Sequence, residues 1–118
     1  MKPLPIPETE QMNAMMDGSV YNLVCAYMNN PSQYNLKKYL TISRQKLISF
    51  LVSNPEKAET YFQNQKINPS THDVEKIWEE GREYFVASLD HGKPRSLRCY
   101  QSLPEAVAEH ILVSYGMY

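Results

Sequence analysis

The segment 84–115 constrains the fold most, because it combines two alternating patterns, a turn and a capped helix in one continuous stretch. Residues 84–89 and 96–100 each show a period of two, which is typical of strands. Two sets of side chains alternate in each segment: Phe85, Ala87 and Leu89 with Tyr84, Val86 and Ser88, and Leu97 and Cys99 with Ser96, Arg98 and Tyr100. The run DHGKP between them is rich in residues that favour turns. The pattern therefore predicts a β-hairpin.

A helix is predicted to follow the hairpin directly. Ser102 and Glu105 have the spacing of a capping box, in which each side chain accepts from a backbone N–H of the other residue. Because an isolated two-stranded hairpin is only marginally stable, we expect this helix to pack on it. Its apolar stripe consists of Val107, Ala108, Ile111, Leu112 and Tyr115.

The rest of the chain predicts helices separated by short breaks. Residues 1–8 contain three prolines and are expected to form an extended arm. Residues 9–83 are expected to be a helical region, since their apolar side chains recur at spacings of three and four. Ser43 is placed to cap one helix and Pro55 to begin the next. The last helix of this region is predicted from about Thr71 to Gly81, with Val74, Ile77 and Trp78 inward.

The 118 residues fit a single domain. The predicted fold class is α+β and mostly α, a compact bundle of about five or six helices with one C-terminal β-hairpin packed by a final helix. The extended arm (1–8), the helical region (9–83) and the hairpin with its closing helix (84–115) follow one another along the chain.

Composition excludes several classes of protein. No apolar run reaches the roughly 18–20 residues that span a bilayer, and the start of the chain does not resemble a secretory signal. Cys25 and Cys99 are too few for a disulfide framework or a zinc site, and each is expected to be a small core residue. We therefore expect a cytoplasmic protein without membrane association, metal or cofactor.

Candidate catalytic residues are sparse. His72-Asp73 and Asp90-His91 each pair a base with an acid, but adjacency in sequence does not create catalytic geometry. His110 flanks the apolar stripe of the last helix and is expected at the edge of the core or at an interface. The chain contains no P-loop, GxSxG or HExxH motif, so we expect no enzymatic activity.

Residues 33–52 point most directly to a function. Two helices joined by a tight turn need apolar side chains at fixed positions in the first helix, in the turn and on the buried side of the second helix. The segment resembles the helix-turn-helix of bacterial repressors of the Cro and lambda-repressor type. The apolar positions that carry the resemblance are Leu36, Leu40, Ile42, Leu47 and Phe50.

The resemblance implies that the second helix binds double-stranded DNA, with its N-terminus facing the major groove. Arginine pairs bidentately with guanine and glutamine with adenine, while lysines of the first helix would lie nearer the phosphates. The implied function is a small DNA-binding regulator, expected to be a homodimer. The implied DNA contacts are Ser43, Arg44, Gln45, Lys46 and Ser49 toward the bases and Lys37 and Lys38 toward the backbone.

Two further observations leave alternatives open. A second register, with residues 43–51 as first helix and 54–63 as second helix, overlaps the first one. Residues 31–70 hold six Lys and Arg against two acids, and residues 71–90 hold six acids against two cations. A basic middle beside an acidic segment is compatible with DNA binding and equally with charge balance inside the fold.

The hairpin admits two interpretations. Lys93 and Arg95 near its tip are placed to contact phosphates as a wing does. Alternatively, the hairpin and the final helix form the dimer interface or a surface for another protein.

The tyrosine and methionine content supports the second interpretation, a surface for another protein. The nine tyrosines cannot all be buried in so small a domain. Tyrosine and methionine, of which the chain has six, are both enriched at protein interfaces. The alternative function is therefore a protein–protein interaction module, such as a small adaptor, inhibitor or assembly factor.

Overall fold

The structure is a computed structural model that describes residues 2–32, 36–67, 75–90, 93–115 and 117, apart from the side chains of residues 66, 67, 89, 90 and 94. The described residues form an α+β fold, as the sequence predicts. The elements are α1 (Glu8–Asp17), α2 (Val20–Cys25), a 3₁₀ helix (Leu36–Tyr39), α3 (Arg44–Ser53), α4 (Pro55–Ile67), β1 (Glu75–Glu80), β2 (Glu83–Asp90), β3 (Lys93–Tyr100) and α5 (Leu103–Ser114).

Strand β1 corrects the prediction of a helix from about Thr71 to Gly81, and with it the extent of the helical region 9–83. The helical pattern places Ile77 and Trp78 on one side, whereas in a strand neighbouring side chains point to opposite faces. A short apolar run does not distinguish the two periods, so partners elsewhere in the chain decide. Gly81 opens a two-residue turn with φ of 64°, a backbone conformation that favours glycine. Residues 71–74 lie outside the described residues.

The sheet is antiparallel in the order β1-β2-β3, so the predicted hairpin of β2 and β3 is confirmed and gains a third strand. Trp78 lies opposite Phe85 in one pair of strands, and Phe85 lies opposite Cys99 in the other. The register shifts between Val86 and Ser88, where Ser96 on β3 has φ of 54°. The shift is typical of a β-bulge, which bends and twists the strand that carries it.

Helix α5 is the central element of the fold, because it contacts α3, α4 and all three strands. The Ser102 half of the predicted capping box is confirmed, with the Glu105 backbone N–H donating to Ser102 Oγ over 3.4 Å, while the Glu105 carboxylate accepts from the Ser102 hydroxyl over 2.9 Å. Residues 106–112 are all buried, so the helix is covered on every side along this stretch and not on a single stripe. The fold therefore has three layers: α3 and α4, then α5, then the sheet.

The N-terminal half covers the other side of the core. Ile6 is buried, and the Lys2 backbone N–H donates to the Ala26 carbonyl over 3.0 Å, so the predicted extended arm packs against the helices. Helix α1 ends at Gly18, which has φ of 77° and whose N–H bonds the Ala14 carbonyl. Left-handed glycine at this position is a common helix end.

Helix α3 begins where the sequence predicts. The Lys46 backbone N–H donates to Ser43 Oγ over 3.2 Å, and Pro55 is the first residue of α4. The helix before α3 is shorter than predicted in the described residues, a single 3₁₀ turn over 36–39, while residues 33–35 lie outside them.

Candidate interaction surface

The register of the sheet divides its side chains between two faces. Ile77 on β1 and Val86 on β2 lie opposite each other and are buried in the core under α5. Their sequence neighbours Trp78 and Phe85 therefore project from the other face. We call the second face the outer sheet face; it comprises Lys76, Trp78, Glu80, Glu83, Phe85, Ala87, Leu97 and Cys99.

The outer sheet face is apolar at its centre. The rings of Trp78 and Phe85 stack with centroids 5.7 Å apart and planes inclined by 18°. Neither ring is among the partly buried side chains that pack against the core cluster. Leu97 is 57% exposed on the neighbouring strand, and Cys99 is exposed beside Phe85. Trp78 and Phe85 are half-buried and Leu97 is exposed, and large apolar side chains gathered on one accessible face commonly mark a binding surface.

A thiol–carboxylate contact borders this apolar centre. The Cys99 thiol donates to a carboxylate oxygen of Glu83 across the β2–β3 pair. This hydrogen bond, together with partial desolvation and the negative charge, raises the pKa of the Cys99 thiol. Cys25 is also exposed, so the expectation that both cysteines are core residues is wrong.

The implied DNA-reading residues of α3 divide into two groups: Arg44 and Lys46 form ion pairs within the fold, and Gln45 and Ser49 line a groove. Arg44 is turned inward, where its guanidinium pairs with the fully buried carboxylate of Glu109 on α5. Lys46 forms an ion pair of 2.8 Å with Glu8 of α1. Gln45 and Ser49 are exposed and line, with Lys46, a groove of about 430 Å³ between α1 and α3.

The remaining implied DNA contacts are dispersed. Lys37 and Lys38 are exposed on the 3₁₀ helix, and the Lys38 ammonium lies 5.1 Å from the centre of the Tyr39 ring. Lys93 and Arg95 are exposed at the start of β3, whereas Arg44 approaches Tyr100 at its end. At about 3.3 Å per residue, the strand separates these two ends by roughly 20 Å. The proposed wing is therefore remote from the N-terminus of α3.

Two arginines surround the buried carboxylate of Glu109. Arg98 of β3 pairs with one of its oxygens and Arg44 of α3 with the other. The Arg98 guanidinium also lies 3.9 Å from the Glu75 carboxylate on β1. The cluster therefore connects all three layers of the fold, which explains why a helix as apolar as α5 carries a charged residue at its centre.

A second set of buried hydrogen bonds is centred on His110, the residue after Glu109 on α5. Tyr61 of α4 lies 2.5 Å from His110 Nδ1, and His110 Nε2 lies 3.0 Å from the Glu75 carbonyl. Because a carbonyl only accepts, Nε2 carries the hydrogen and Tyr61 donates to Nδ1. Burial lowers the pKa of His110 and raises that of Tyr61, so both groups are neutral.

Sequence reasoning missed the residues that organise these clusters. Glu109 looks like a solvent-facing residue and Trp78 looks like part of a helical stripe, whereas His110 is expected at the edge of the core or at an interface and is buried. The segment EKIWEE is nevertheless compatible with a strand, because its two apolar residues are adjacent and have charged residues on both sides.

Comparison with known proteins gives no relative: neither the family models, nor the curated proteins, nor the solved structures include a match to this chain. Within the described ranges, no helix is long and apolar enough to cross a membrane. In the same part of the chain, no three His, Cys, Asp or Glu side chains are grouped to hold a metal ion. His72, Asp73 and His91 lie outside the described residues.

Proposed function

We propose that this chain is a non-enzymatic protein-interaction module that binds a partner protein through the outer sheet face. One observation carries the proposal: Trp78 and Phe85 stack on the side of the sheet opposite to the core, beside the exposed Leu97. Aromatic anchors contribute most of the binding energy at many interfaces because they bring a large area at a small entropic cost.

The position of α5 in the fold favours the outer sheet face over α5 itself as the binding surface. Residues 106–112 are buried within the domain, so they have no area left to offer to a partner. The outward surface of the segment 84–115 is therefore its sheet.

Leu97 and Val52 provide a matched pair of variants for testing the proposal. Leu97 on the outer sheet face is 57% exposed, and Val52 on α3 is 61% exposed. In quantitative affinity capture from the source cells, Leu97→Ser is expected to lose the specific partner at least tenfold, whereas Val52→Ser retains it. Circular dichroism checks that both variants fold. Equal capture by the wild type and both variants would refute the outer sheet face as the binding surface.

DNA binding by α3 is a second candidate, favoured by the exposed Gln45 and Ser49 on a helix whose N-terminus Ser43 caps. The ion pairs of Arg44 and Lys46 weigh against it, because DNA phosphates would have to compete with Glu109 and Glu8. Fluorescence anisotropy with duplex DNA at several salt concentrations tests it. If DNA binds through α3, Gln45→Ala with Lys46→Ala weakens binding and flattens its salt dependence; an unchanged affinity and slope exclude this helix.

A further inference from the structure

We infer that the partner protein binds the outer sheet face with a basic segment, in which an arginine side chain stacks on Trp78 and Phe85 and pairs with the carboxylates of Glu80 and Glu83. The inference rests on the proposed function and names the chemistry of its partner. It follows from the unbalanced negative charge beside the two rings.

Two carboxylates border the aromatic rings on the outer sheet face. Glu80 follows Trp78 by two positions on β1, and Glu83 precedes Phe85 by two positions on β2. All four side chains therefore project from the same face, and both glutamates are exposed. Two positions along a strand correspond to about 6.7 Å. One arginine side chain can bridge this distance, with its stem on the rings and its guanidinium at the carboxylates.

The register places these two carboxylates directly opposite each other. Like charges at opposite positions on one face of a sheet are destabilising. Among the residues that the structure describes, neither Glu80 nor Glu83 pairs with a lysine or arginine, and Glu83 accepts a hydrogen bond from the Cys99 thiol. On the core side of the sheet, by contrast, two arginines surround Glu109. A cation brought by a partner would remove the repulsion between Glu80 and Glu83.

The cations of the sheet are placed away from these acids. The register shift at the bulge puts Arg95 and Arg98 of β3 on the same side of the sheet as Val86, not with the rings. Lys76 lies on the outer sheet face but at the opposite end of β1 from the turn. Within the turn segment 79–83, three exposed acids stand against one exposed arginine. The turn end of the outer sheet face is therefore acidic, and charge complementarity selects a basic partner.

Arginine suits this combination of rings and carboxylates better than lysine does. Its planar guanidinium stacks on aromatic rings and presents a fork of N–H donors to carboxylates, whereas the lysine ammonium is a compact, strongly hydrated charge. The planes of Trp78 and Phe85 are inclined by 18°, so the rings form one stack and not the several inclined walls that enclose a methylated ammonium group. The acidic turn would repel nucleic-acid phosphates, which favours a protein over a single-stranded nucleic acid stacked on the rings.

The exposed Leu97 indicates what accompanies the arginine. It lies on β3 beside Cys99, which is opposite Phe85, and is 57% exposed. A bare cation would leave this aliphatic surface in water. We therefore expect the basic segment to carry an apolar side chain on the same side as its arginine.

Titration of the full chain with a blocked peptide is the primary test, with the fluorescence of Trp78, the only tryptophan, as the readout. The probe has the sequence Leu-Ser-Arg-Ser-Leu-Ser-Arg, which places leucine and arginine on one side when the peptide is extended. A saturable change in emission is expected. The same peptide with citrulline, the neutral isostere of arginine, is expected to bind at least about tenfold more weakly, and the lysine peptide at least about threefold more weakly. Equal affinity of the arginine and citrulline peptides overturns the inference, and equal affinity of the lysine peptide overturns the choice of arginine.

Matched charge removals locate the contact. Glu80→Gln and Glu56→Gln each remove one exposed carboxylate, the first on the outer sheet face and the second on α4. Glu80→Gln is expected to weaken the arginine peptide about threefold and Glu56→Gln to leave it unchanged, because a screened, non-specific attraction would respond equally to both. Equal losses in the two variants overturn the assignment to the outer sheet face.

The double variant Glu80→Gln with Glu83→Gln provides two further readouts. The preference for the arginine peptide over the citrulline peptide is expected to shrink from about tenfold to about twofold or less, since the charged partners of the arginine are then gone. In urea unfolding, the double variant is expected to be at least as stable as the wild type, because the like-charge repulsion is removed. A double variant that is less stable, or that keeps the full preference for arginine, overturns the inference.

Failure of this inference is distinguishable from failure of the proposed function. If Leu97-dependent capture of a partner protein persists while the arginine and citrulline peptides bind alike, the proposed function stands and the basic partner is overturned. If the peptides are distinguished but capture does not depend on Leu97, the proposed function fails and only the arginine contact remains. Saturable quenching of Trp78 by a single-stranded oligonucleotide, with no preference for the arginine peptide, overturns both.

Discussion

Arg44 at the start of α3 forms an ion pair with Glu109, whose carboxylate is fully buried in α5. The same two residues that look like a DNA-reading arginine and a solvent-facing acid in sequence are each other's partners in the fold. Since α5 also contacts the sheet, this pair joins the helical layer to the strand layer. We therefore expect the stability of the fold to depend on it.

Removing one arginine from Glu109 is expected to destabilise the fold. Breaking a buried ion pair costs about 3–5 kcal/mol when the remaining charge stays buried and unpaired. Arg44 and Arg98 are 40% and 27% exposed and can share the carboxylate, so we expect about 1–3 kcal/mol for Arg44→Met and a larger loss for Arg98→Met. Urea unfolding at pH 7 measures both.

A triple variant provides the control for this prediction. Replacing all three charges, as Arg44→Met with Arg98→Met and Glu109→Leu, removes the unpaired carboxylate and is expected to recover most of the lost stability. A triple variant no more stable than Arg98→Met alone would show that packing, and not the uncompensated charge, causes the loss.

Stability is expected to fall as the pH decreases below about 6.5 because of His110. Burial lowers the pKa of His110 in the folded state, so its contribution is complete above the unfolded pKa of about 6.5. Below that pH the unfolded chain binds a proton that the folded chain resists, and the free energy of unfolding decreases. We expect His110→Gln to reduce this pH dependence, as measured by urea unfolding at pH 7.5 and 5.5. Identical pH dependence in the variant and the wild type would contradict the assignment to His110.

Gln11 is a buried polar side chain that ties the N-terminal arm to the segment before α3. Its amide group donates to the Ile6 carbonyl over 2.9 Å and to Thr41 Oγ1 over 3.0 Å, and its carbonyl accepts from the Thr41 backbone N–H over 2.8 Å. Gln11→Leu leaves backbone groups without partners, which costs about 1–3 kcal/mol for each buried group. Thermal unfolding should show the loss.

Gln45→Leu is the control for Gln11→Leu, because Gln45 is exposed on α3. Substitutions at such positions usually change stability by no more than about 0.5 kcal/mol. In the Gln11 variant, the Thr41 amide is also expected to exchange with solvent faster. Unchanged exchange there would separate any stability loss from this hydrogen bond.

Local signals in the sequence located several elements correctly. Ser43 and Ser102 are followed three residues later by backbone N–H groups that their hydroxyls cap, and both helices begin there. The hairpin of β2 and β3 is likewise confirmed, since alternation and turn residues act within a few positions of one another. These features depend on neighbours in the chain, so the sequence suffices to predict them.

Strand β1 and the faces of the sheet depended on residues far away in sequence. EKIWEE is compatible with either period until β2 supplies hydrogen-bonding partners, and only then do Ile77 and Trp78 separate onto opposite faces. The partner of Arg44 lies 65 positions away at Glu109, beyond any local pattern. The sequence by itself determined the caps, the breaks and the α5 segment, because these are short-range properties of the backbone. Tertiary packing decided that α5 is the core, that Arg44 turns inward and that Trp78 and Phe85 face outward, because burial and strand register are properties of the whole chain.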